Sequence, residues 1–436
     1  MSSILTNNGA MVALQTLKTI NSNLGKTQNE IATGKTVANA KDNAAVWSIS
    51  KVMESDVKGF KGISDSLSLG ESTAAVAQNA SETVTDLLTE IKGKIVAAQE
   101  SNVDRDKIQT DIAALRDQIN SVVGGAQFNG LNLLSNSSKT AGSGTVKVLS
   151  SLDRSADGSV KASSISIRKQ DLGTNATNWA AGTAEAAGSA TRLSGALDAG
   201  TAATLTGGTT PATTAVVIDS VIAGMGVQIN ITGSAGTVGT AFNDSARAVS
   251  YVARDGDTQA DVANALAKDF NDRVTAAKEA GTLGANTSLK AAVTVASNGA
   301  ATLTFTGETG ANTDNYSLQA VQTNNVTIGG GLEDLAGIDV STSTGAASAL
   351  SKVEGLIQTA VDAAASFGSS RGRIETQKDF VSKLTDSLKS GIGSMVDANM
   401  EEASARLQAL QVQQQLSVQS LSIANQAPQS LLSLFR

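Results

Sequence analysis

The side chains that most often carry out catalysis or bind metal ions are missing from this chain of 436 residues, which contains no histidine and no cysteine. Without cysteine, the chain cannot form disulfides, thiolate nucleophiles or cysteine metal sites. Without histidine, it lacks the commonest general base and the commonest metal ligand. An enzyme would have to work with carboxylates, lysine or tyrosine. We therefore predict no catalytic residue, no metal site and no cofactor.

Adjacent carboxylates are the remaining candidates for acid–base chemistry, and the chain has such pairs at Glu333–Asp334 and Glu401–Glu402. Two carboxylates can act as acid and base when their surroundings separate their pKa values. Acidic side chains are also favourable at the beginning of a helix, where they interact with the helix dipole. We interpret both pairs as solvated helix-end charges and predict that the protein is not an enzyme.

Composition narrows the classes of protein further. The net charge of −7 and the pI near 4.9 argue against a general nucleic-acid surface. No apolar run of 18 residues is present, so we predict no membrane insertion. The first ten residues, MSSILTNNGA, lack the basic start and apolar core of a cleaved signal peptide. Aromatic residues make up only 3% of the chain, which suits long, thin helical bundles with aliphatic cores.

The longest periodic stretch covers residues 42–99, where apolar side chains recur at alternating steps of three and four and no proline intervenes. This period keeps one face of a helix against partner helices. A helix of this length is a rod of roughly 87 Å, which requires partners to bury its apolar face. The same spacing returns from residue 346 onward. The predicted bundle seam consists of Phe60, Ile63, Leu67, Leu88, Ile91, Ile95, Phe367, Ile374, Val381 and Leu388.

The two ends of the chain are helical in pattern but poor in charge. Residues 3–33 contain three charged side chains before Gly34, and residues 407–435 contain none. A helix surrounded by water normally has a charged outer face. We therefore predict that these ends become ordered when copies of the chain pack together. The predicted self-assembly residues are Leu14, Leu17, Ile20, Leu24, Ile31, Leu407, Leu410, Leu416, Leu421, Ile423 and Leu431.

The middle of the chain differs from both ends, because glycine, serine and threonine become frequent from about residue 136. Short β-type runs are predicted at 163–168, 215–221, 227–232, 291–296, 301–306 and 316–322, together with one amphipathic helix at 258–277. The predicted fold class is α+β, with a long coiled-coil-like α-helical bundle formed by the N- and C-terminal segments and a β-rich insert domain in the middle.

Three domains follow from these changes of character. The first comprises terminal helices at 1–34 plus 400–436, which we expect to become ordered on assembly. A helical bundle stem comprises 35–135 plus 346–399. A β-rich insert of one or two small domains, expected to protrude from this stem, comprises 136–345.

Residues 30–45, E-I-A-T-G-K-T-V-A-N-A-K-D-N-A-A, resemble the bacterial flagellin motif R-L-S-S-G-x-R-I-N-S-A-K-D-D-A-A. This connector motif includes Gly34, Asn39, Lys41 and Asp42. Further likenesses are I-L-T-N-N at 4–8, D-R-D-K-I-Q at 104–109 and A-N-Q-A-P-Q-S-L-L at 424–432, which is similar to the family's closing A-N-Q-x-P-Q-x-x-L-x-L. The resemblance covers about 1–135 and 346–436.

The resemblance implies a structural subunit that polymerises into the flagellar filament for swimming motility. It implies export in the unfolded state by a type III-like route, without a cleaved signal peptide, and assembly at the distal tip outside the cell. The implied partners are other copies of the chain, an export chaperone at the C-terminal segment, hook-associated and cap proteins, and other flagellins. The alternative within the family is a hook-filament junction protein.

Some positions depart from the family pattern. Glu30 and Thr36 stand where the connector motif has arginine. Flagellins seen by the mammalian Toll-like receptor carry an arginine that aligns here with Glu90. Because a reversed charge at a recognition surface usually repels the partner, we expect weak or no recognition by that receptor. Some flagellins carry a zinc peptidase in the insert, but a chain without histidine cannot have its H-E-x-x-H site.

Overall fold

The computed structural model describes residues 7–155, 159–185, 192–195, 197, 203–205, 211–233, 248–279, 281, 283, 288–308 and 316–433. Three helices come first, a β-rich region follows, and two helices end the chain, which confirms the predicted fold class. The helices are α1 (Asn8–Thr33), α2 (Ala44–Ala97), α3 (Arg105–Gly125), α4 (Gln259–Glu279), α5 (Ser343–Val396) and α6 (Met400–Ser433). None of the helices within these described ranges is long and apolar enough to cross a membrane.

The chain forms two compact units, and the long helices α2 and α5 contribute residues to both. The first unit comprises Met1–Asp65, Ser151–Lys161 and Lys378–Arg436, and the second comprises Ser66–Ser150 and Ala162–Gln377. The predicted domains follow changes of sequence character rather than packing, and they stay a prediction.

In the first unit, polar side chains fix the ends of the terminal helices. The Asn7 side chain accepts a hydrogen bond from the backbone N–H of Ala10 (3.0 Å) at the beginning of α1. Gly34 ends α1 with a φ of 69°, a left-handed conformation that glycine adopts without a steric penalty. Asn399 accepts bonds from the N–H groups of Glu401 and Glu402 at the beginning of α6 (3.2 and 3.4 Å).

In the second unit, α3 closes the end of α2. Arg105 donates from Nε to the carbonyl of Ala98 and from Nη2 to that of Glu100, both at 2.8 Å. These acceptors are carbonyls of the turn that follows α2. Asp104 caps α3 by accepting from the N–H of Lys107 at 3.2 Å, as its position before the periodic run suggests.

A short hairpin follows α3. Strands β1 (Gln127–Phe128) and β2 (Leu131–Asn132) pair in antiparallel fashion. Between them, Asn129 and Gly130 have positive φ angles of 50° and 78°, the combination that a two-residue hairpin turn requires. The chain then buries Leu133 and Leu134 in the second unit.

The β-rich region contains eleven further strands within the described ranges, and the pairings among β5 to β13 are antiparallel. They are β3 (Thr145–Arg154), β4 (Val160–Arg168), β5 (Thr183–Ala184), β6 (Leu193–Gly195), β7 (Ala203–Leu205), β8 (Thr213–Ile218), β9 (Gly226–Gly233), β10 (Val249–Val252), β11 (Lys290–Val295), β12 (Ala301–Thr306) and β13 (Tyr316–Asn324). Strands β3 and β4 form a two-stranded sheet.

Two larger sheets and one helix share a single apolar core. One sheet has the order β10-β9-β13-β5, with β7 also paired to β13, and the other has the order β11-β12-β8-β6. Helix α4 contributes Phe270, which is fully buried and packs edge-to-face on Phe305 with ring centroids 5.1 Å apart. Because inward side chains of both sheets belong to this core cluster, the sheets and α4 fold as one body.

Candidate assembly surface

Helices α1 and α6 pack along each other in antiparallel directions. Asn7 Nδ2 donates to the carbonyl of Ala424 at 2.9 Å near one end of the pair. Further along, Gln414 Nε2 donates to Asn21 Oδ1 at 2.8 Å. Ile20 and Leu410 are buried in this unit. Neutral amides therefore provide polar contacts of the pair along its charge-poor length.

Most charged side chains of the pair lie at its other end, where α1 finishes and α6 begins. Glu30 is 8% exposed, and its carboxylate lies 4.0 Å from the ammonium of Lys26 and 4.0 Å from the guanidinium of Arg406. Arg406 also pairs with Glu402 at 2.6 Å. Glu30, which departs from the family motif, thus has basic neighbours within its own chain.

The predicted self-assembly residues fall into three groups of exposure. Ile20 and Leu410 are buried, whereas Leu14, Leu416 and Ile423 are exposed, the last to 69%. The half-buried members are Leu17, Leu24, Ile31, Leu407 and Leu421. Leu431 belongs to α6, but its side chain lies outside the described residues.

Large apolar side chains remain exposed on both helices of the pair. Beyond those predicted, they include Met11 and Val12 on α1 and Val412 and Val418 on α6. We name the seven exposed side chains Met11, Val12, Leu14, Val412, Leu416, Val418 and Ile423 the apolar surface. Contiguous patches of such side chains are where proteins contact their partners. Exposure at 57% for Met11 and 56% for Leu416 leaves room for a partner on each helix.

The connector after α1 is joined to the link between α5 and α6. Lys35 forms an isolated antiparallel bridge with Asp397, and the N–H of Ala398 donates to the carbonyl of Gly34 at 2.9 Å. Thr36 donates from both its N–H and its hydroxyl to the carbonyl of Val396, at 2.7 and 3.1 Å. We name residues 34–43 and 396–399 the joint. Thr36, the second departure from the family motif, serves here as a backbone anchor.

Within the connector, Asp42 has a local role. Its Oδ2 accepts hydrogen bonds from the N–H groups of Ala38 and Asn39 at 3.1 and 3.0 Å, and its own N–H donates to the carbonyl of Asn39 at 3.0 Å. The side chains of Asn39 and Lys41 are exposed. The motif residues therefore shape the connector loop rather than a binding cavity.

An ion pair ties the joint to α2. Glu54 lies 2.7 Å from Lys51 and 3.7 Å from Lys35. The hydrogen bond from Lys51 lowers the pKa of Glu54; burial opposes this and the charge of Lys35 supports it. The stabilisation from ionised Glu54 is therefore present above the pKa that this group has in the unfolded chain. It is lost as pH falls through the lower pKa of the folded chain.

Nine of the ten predicted seam residues are buried on α2 and α5, and one is less buried than the others. Leu388 is only half-buried. The buried members are Phe60, Ile63, Leu67, Leu88, Ile91, Ile95, Phe367, Ile374 and Val381.

The paired carboxylates make structural contacts. Glu333 Oε2 accepts from the N–H and the hydroxyl of Thr177 at 2.7 and 2.6 Å. Glu402 pairs with Arg406, as described above. These oxygens bind groups of the protein itself.

Comparison with known proteins identifies the two ends of the chain. Residues 4–139 match the bacterial flagellin N-terminal helical region, and residues 318–435 match the bacterial flagellin C-terminal helical region. Flagellin A of Rhizobium meliloti is 34% identical over 438 aligned positions that cover all of both chains. Flagellin B of Rhizobium meliloti (strain 1021) is 37% identical over 436 positions, again with complete coverage of both.

Solved structures are similar at a lower level. The flagellar hook associated protein-3 from Legionella pneumophila shares 9% identity at a TM-score of 0.36, covering 79% of this chain and 98% of that one. FliC from Burkholderia pseudomallei shares 14% identity at a TM-score of 0.28, covering 70% of this chain and 99% of that one. The assignment therefore depends on the sequence matches, which span both helical ends and full-length relatives. On these matches, the chain belongs to the bacterial flagellin family, which is a family of structural proteins and not of enzymes.

Proposed function

We propose that this chain is a subunit that polymerises through the α1–α6 pair into the flagellar filament used for swimming. The observation that carries the proposal is the apolar surface on two helices with few charges. Only Lys18 is charged on α1 before Lys26, and α6 has no charged side chain after Arg406. In water this surface is unfavourable, and packing against other copies would remove it from solvent.

The geometry of the polymer follows from the type of contact. We propose a heterologous contact, in which the apolar surface of one copy packs against a different surface of the next copy. Repeated without closing, such a contact builds a helical filament. We infer that the terminal helices form the inner tube, the bundle surrounds them, and the insert lies outside.

Order in the terminal helices is proposed to depend on assembly. Fixing the backbone of each residue opposes folding by about 1–2 kcal/mol. The buried side chains of α1 are Ile20, Thr27 and Glu30, and those of α6 within its described side chains are Ala403 and Leu410. This burial is small for two helices of 26 and 34 residues. Neighbouring copies would supply the rest.

Export and partner binding are part of the same proposal. A chain without cysteine and with only two prolines has no disulfide to reduce and few slow isomerisations before it refolds. We propose export in the unfolded state by a type III-like route. An export chaperone would cover the apolar part of α6 until assembly at the distal tip outside the cell. Hook-associated proteins, cap proteins and other flagellins would meet the same terminal helices.

Recognition by the mammalian Toll-like receptor is proposed to be weak or absent. Glu90 is exposed on α2 in the position where recognised family members carry arginine. A carboxylate there would repel the acidic partner that an arginine attracts.

Electron microscopy of purified protein tests the central proposal. A filament subunit should form fibres of micrometre length when polymerisation is induced, because each added copy exposes a new site for the next. Short rings or persistent monomers would contradict it and would favour the junction protein instead.

Whether the insert is separate from the bundle can be tested by deletion. The two segments that lead into and out of the insert are hydrogen-bonded to each other. Asn178 and Thr327 exchange two N–H to carbonyl hydrogen bonds at 3.2 Å. Further from the insert, the N–H of Gly330 donates to the carbonyl of Asn175 (2.8 Å), and the N–H of Leu332 donates to the carbonyl of Gly173 (2.9 Å). We name residues 173–178 and 327–333 the stalk. A hydrogen-bonded antiparallel pair has Cα atoms about 5.5 Å apart, which a two-residue turn spans.

We predict that replacing residues 179–326 with Asn-Gly leaves a chain that still forms fibres. The two sheets and α4 leave together with their shared core, while the chain on both sides of the deletion keeps its anchors on α3. One anchor joins Thr174 and Asn120, and the other joins Gln109 to Ile338 and Val340 at 3.0 and 2.9 Å. Electron microscopy checks assembly, and circular dichroism checks the helices. Loss of the helical melting transition would show that the insert is part of the bundle core.

A further inference from the structure

Strands β10 and β11 lie at the edges of the two large sheets, and both contact helix α4. The outer side of an edge strand presents N–H and C=O groups that have no neighbouring strand. Such groups can pair with a strand from another molecule, so the contacts that α4 makes with them are informative.

At Ala291 of β11, one side chain of α4 forms the hydrogen bonds that a neighbouring strand would form. Asn271 Nδ2 donates to the carbonyl of Ala291 at 3.0 Å, and Asn271 Oδ1 accepts from the N–H of Ala291 at 2.9 Å. A primary amide has a donor and an acceptor side by side, like a peptide group. It therefore reproduces both hydrogen bonds that an added antiparallel strand would form with this residue.

At the β10 edge, an ion pair of α4 forms hydrogen bonds with outward backbone groups. Asp269 Oδ2 accepts from the N–H of Ser250 at 3.1 Å, and Arg273 Nη2 donates to the carbonyl of Ala248 at 3.1 Å. Arg273 Nε and Asp269 Oδ1 are 2.9 Å apart, so the acceptor and the donor hold each other in place. Two outward groups of the second edge, the N–H of Ser250 and the carbonyl of Ala248, are thus occupied.

The core fixes the position of these side chains. Phe270, between Asp269 and Asn271, is fully buried, and Val274, which follows Arg273, is 3% exposed. The backbone of α4 therefore cannot carry these polar side chains away from the two edges unless it withdraws Phe270 from its contact with Phe305.

We propose that α4 is an edge-blocking helix, in which Asn271 and the Asp269–Arg273 pair deny the edges of β11 and β10 to strands from a second copy of this chain. The need for such a block rests on the proposed function, because a filament would hold many inserts close together. Neighbouring copies at high effective concentration form contacts that are negligible in dilute solution. The block itself operates in the single chain.

The test compares Asn271→Val with Asn264→Val in the full chain. Asn264 is exposed on the same helix, so the control has the same change in helix propensity and leaves the edge intact. In Asn271→Val we expect the Ala291 amide to exchange about tenfold faster with deuterium, since a buried hydrogen bond is lost. We also expect association that increases with concentration in sedimentation velocity. The control should behave as wild type in both measurements.

A second pair of variants keeps the proposal testable if Asn271→Val does not fold. Asp269→Ala should accelerate exchange of the Ser250 amide about tenfold and promote association. Asp272→Ala, an exposed position on α4 whose carboxylate pairs with Lys268, is its control. Unchanged amide exchange, or monomers at every concentration in the folded variants, would overturn the proposal. Failure of wild-type protein to form fibres would instead overturn the proposed filament function, since the exchange measurement uses dilute monomer.

Discussion

Leu416→Asp should raise the critical concentration for polymerisation about 100-fold or more, while the dilute monomer melts as wild type does. Leu416 is 56% exposed in the single chain, so a carboxylate there remains solvated before assembly. In the proposed filament core the same carboxylate would be enclosed by helices that carry almost no cations. An uncompensated buried charge is unfavourable by about 3–5 kcal/mol, and 1.4 kcal/mol corresponds to a factor of ten in an equilibrium constant.

Sedimentation of polymer from monomer measures the critical concentration, and thermal melting by circular dichroism measures the monomer. Leu416→Met is the matched control, because methionine keeps the volume and apolar character of leucine and should still polymerise. A Leu416→Asp chain that forms fibres at the wild-type concentration would show that this part of the apolar surface faces solvent in the assembled protein.

The helical part of the fold could be predicted from sequence because its signals are local. A seam repeating every three to four residues over residues 42–99 corresponds to α2 at Ala44–Ala97. The end of α1 at Gly34 and the cap of α3 at Asp104 follow from single residues whose preferences are strong. The family match extends to residue 318, further into the middle region than the likeness at 346–436 suggested.

The strands were predictable only where their alternation was long enough. Ala301–Thr306 alternates buried and half-buried side chains over six residues, and its bounds agree with prediction. The short strands β5, β6 and β7 were not predicted, because two or three residues are too few to show a period. Strand β3 was not predicted either, because Ser150 and Ser151 interrupt its apolar pattern.

Contacts between distant parts of the chain could not be predicted from spacing. Glu30 and Thr36 depart visibly from a motif, but their neighbours, Arg406 and Val396, are more than 350 residues away along the chain. The apolar surface was partly predicted, because an absence of charge is visible in sequence. Which of its residues point outward depends on how α1 and α6 pack together, and this explains why Ile20 is buried while Ile423 is exposed.

The proposed coupling of order to assembly predicts a large difference in hydrogen exchange between dilute monomer and filament. In the monomer, the amides of α1 and α6 should exchange rapidly, because few buried side chains oppose opening of these helices. In the filament, they should slow by about 100-fold or more, because the apolar surface becomes enclosed. Amides near Leu67 and Leu88 serve as the internal control, since these fully buried positions should be protected in both states.

The hydrogen bonds between Asn7 and Ala424 and between Gln414 and Asn21 make this test discriminating. Net hydrogen-bond contributions are about 0.5–1.5 kcal/mol each, which is small beside the backbone entropy of two helices. If these bonds and the burial of Ile20 and Leu410 were enough to hold the pair, the amides of α1 and α6 would already be protected in the monomer. That result would mean that the apolar surface is presented by a preformed helix pair, and polymerisation would then add contacts without ordering the ends.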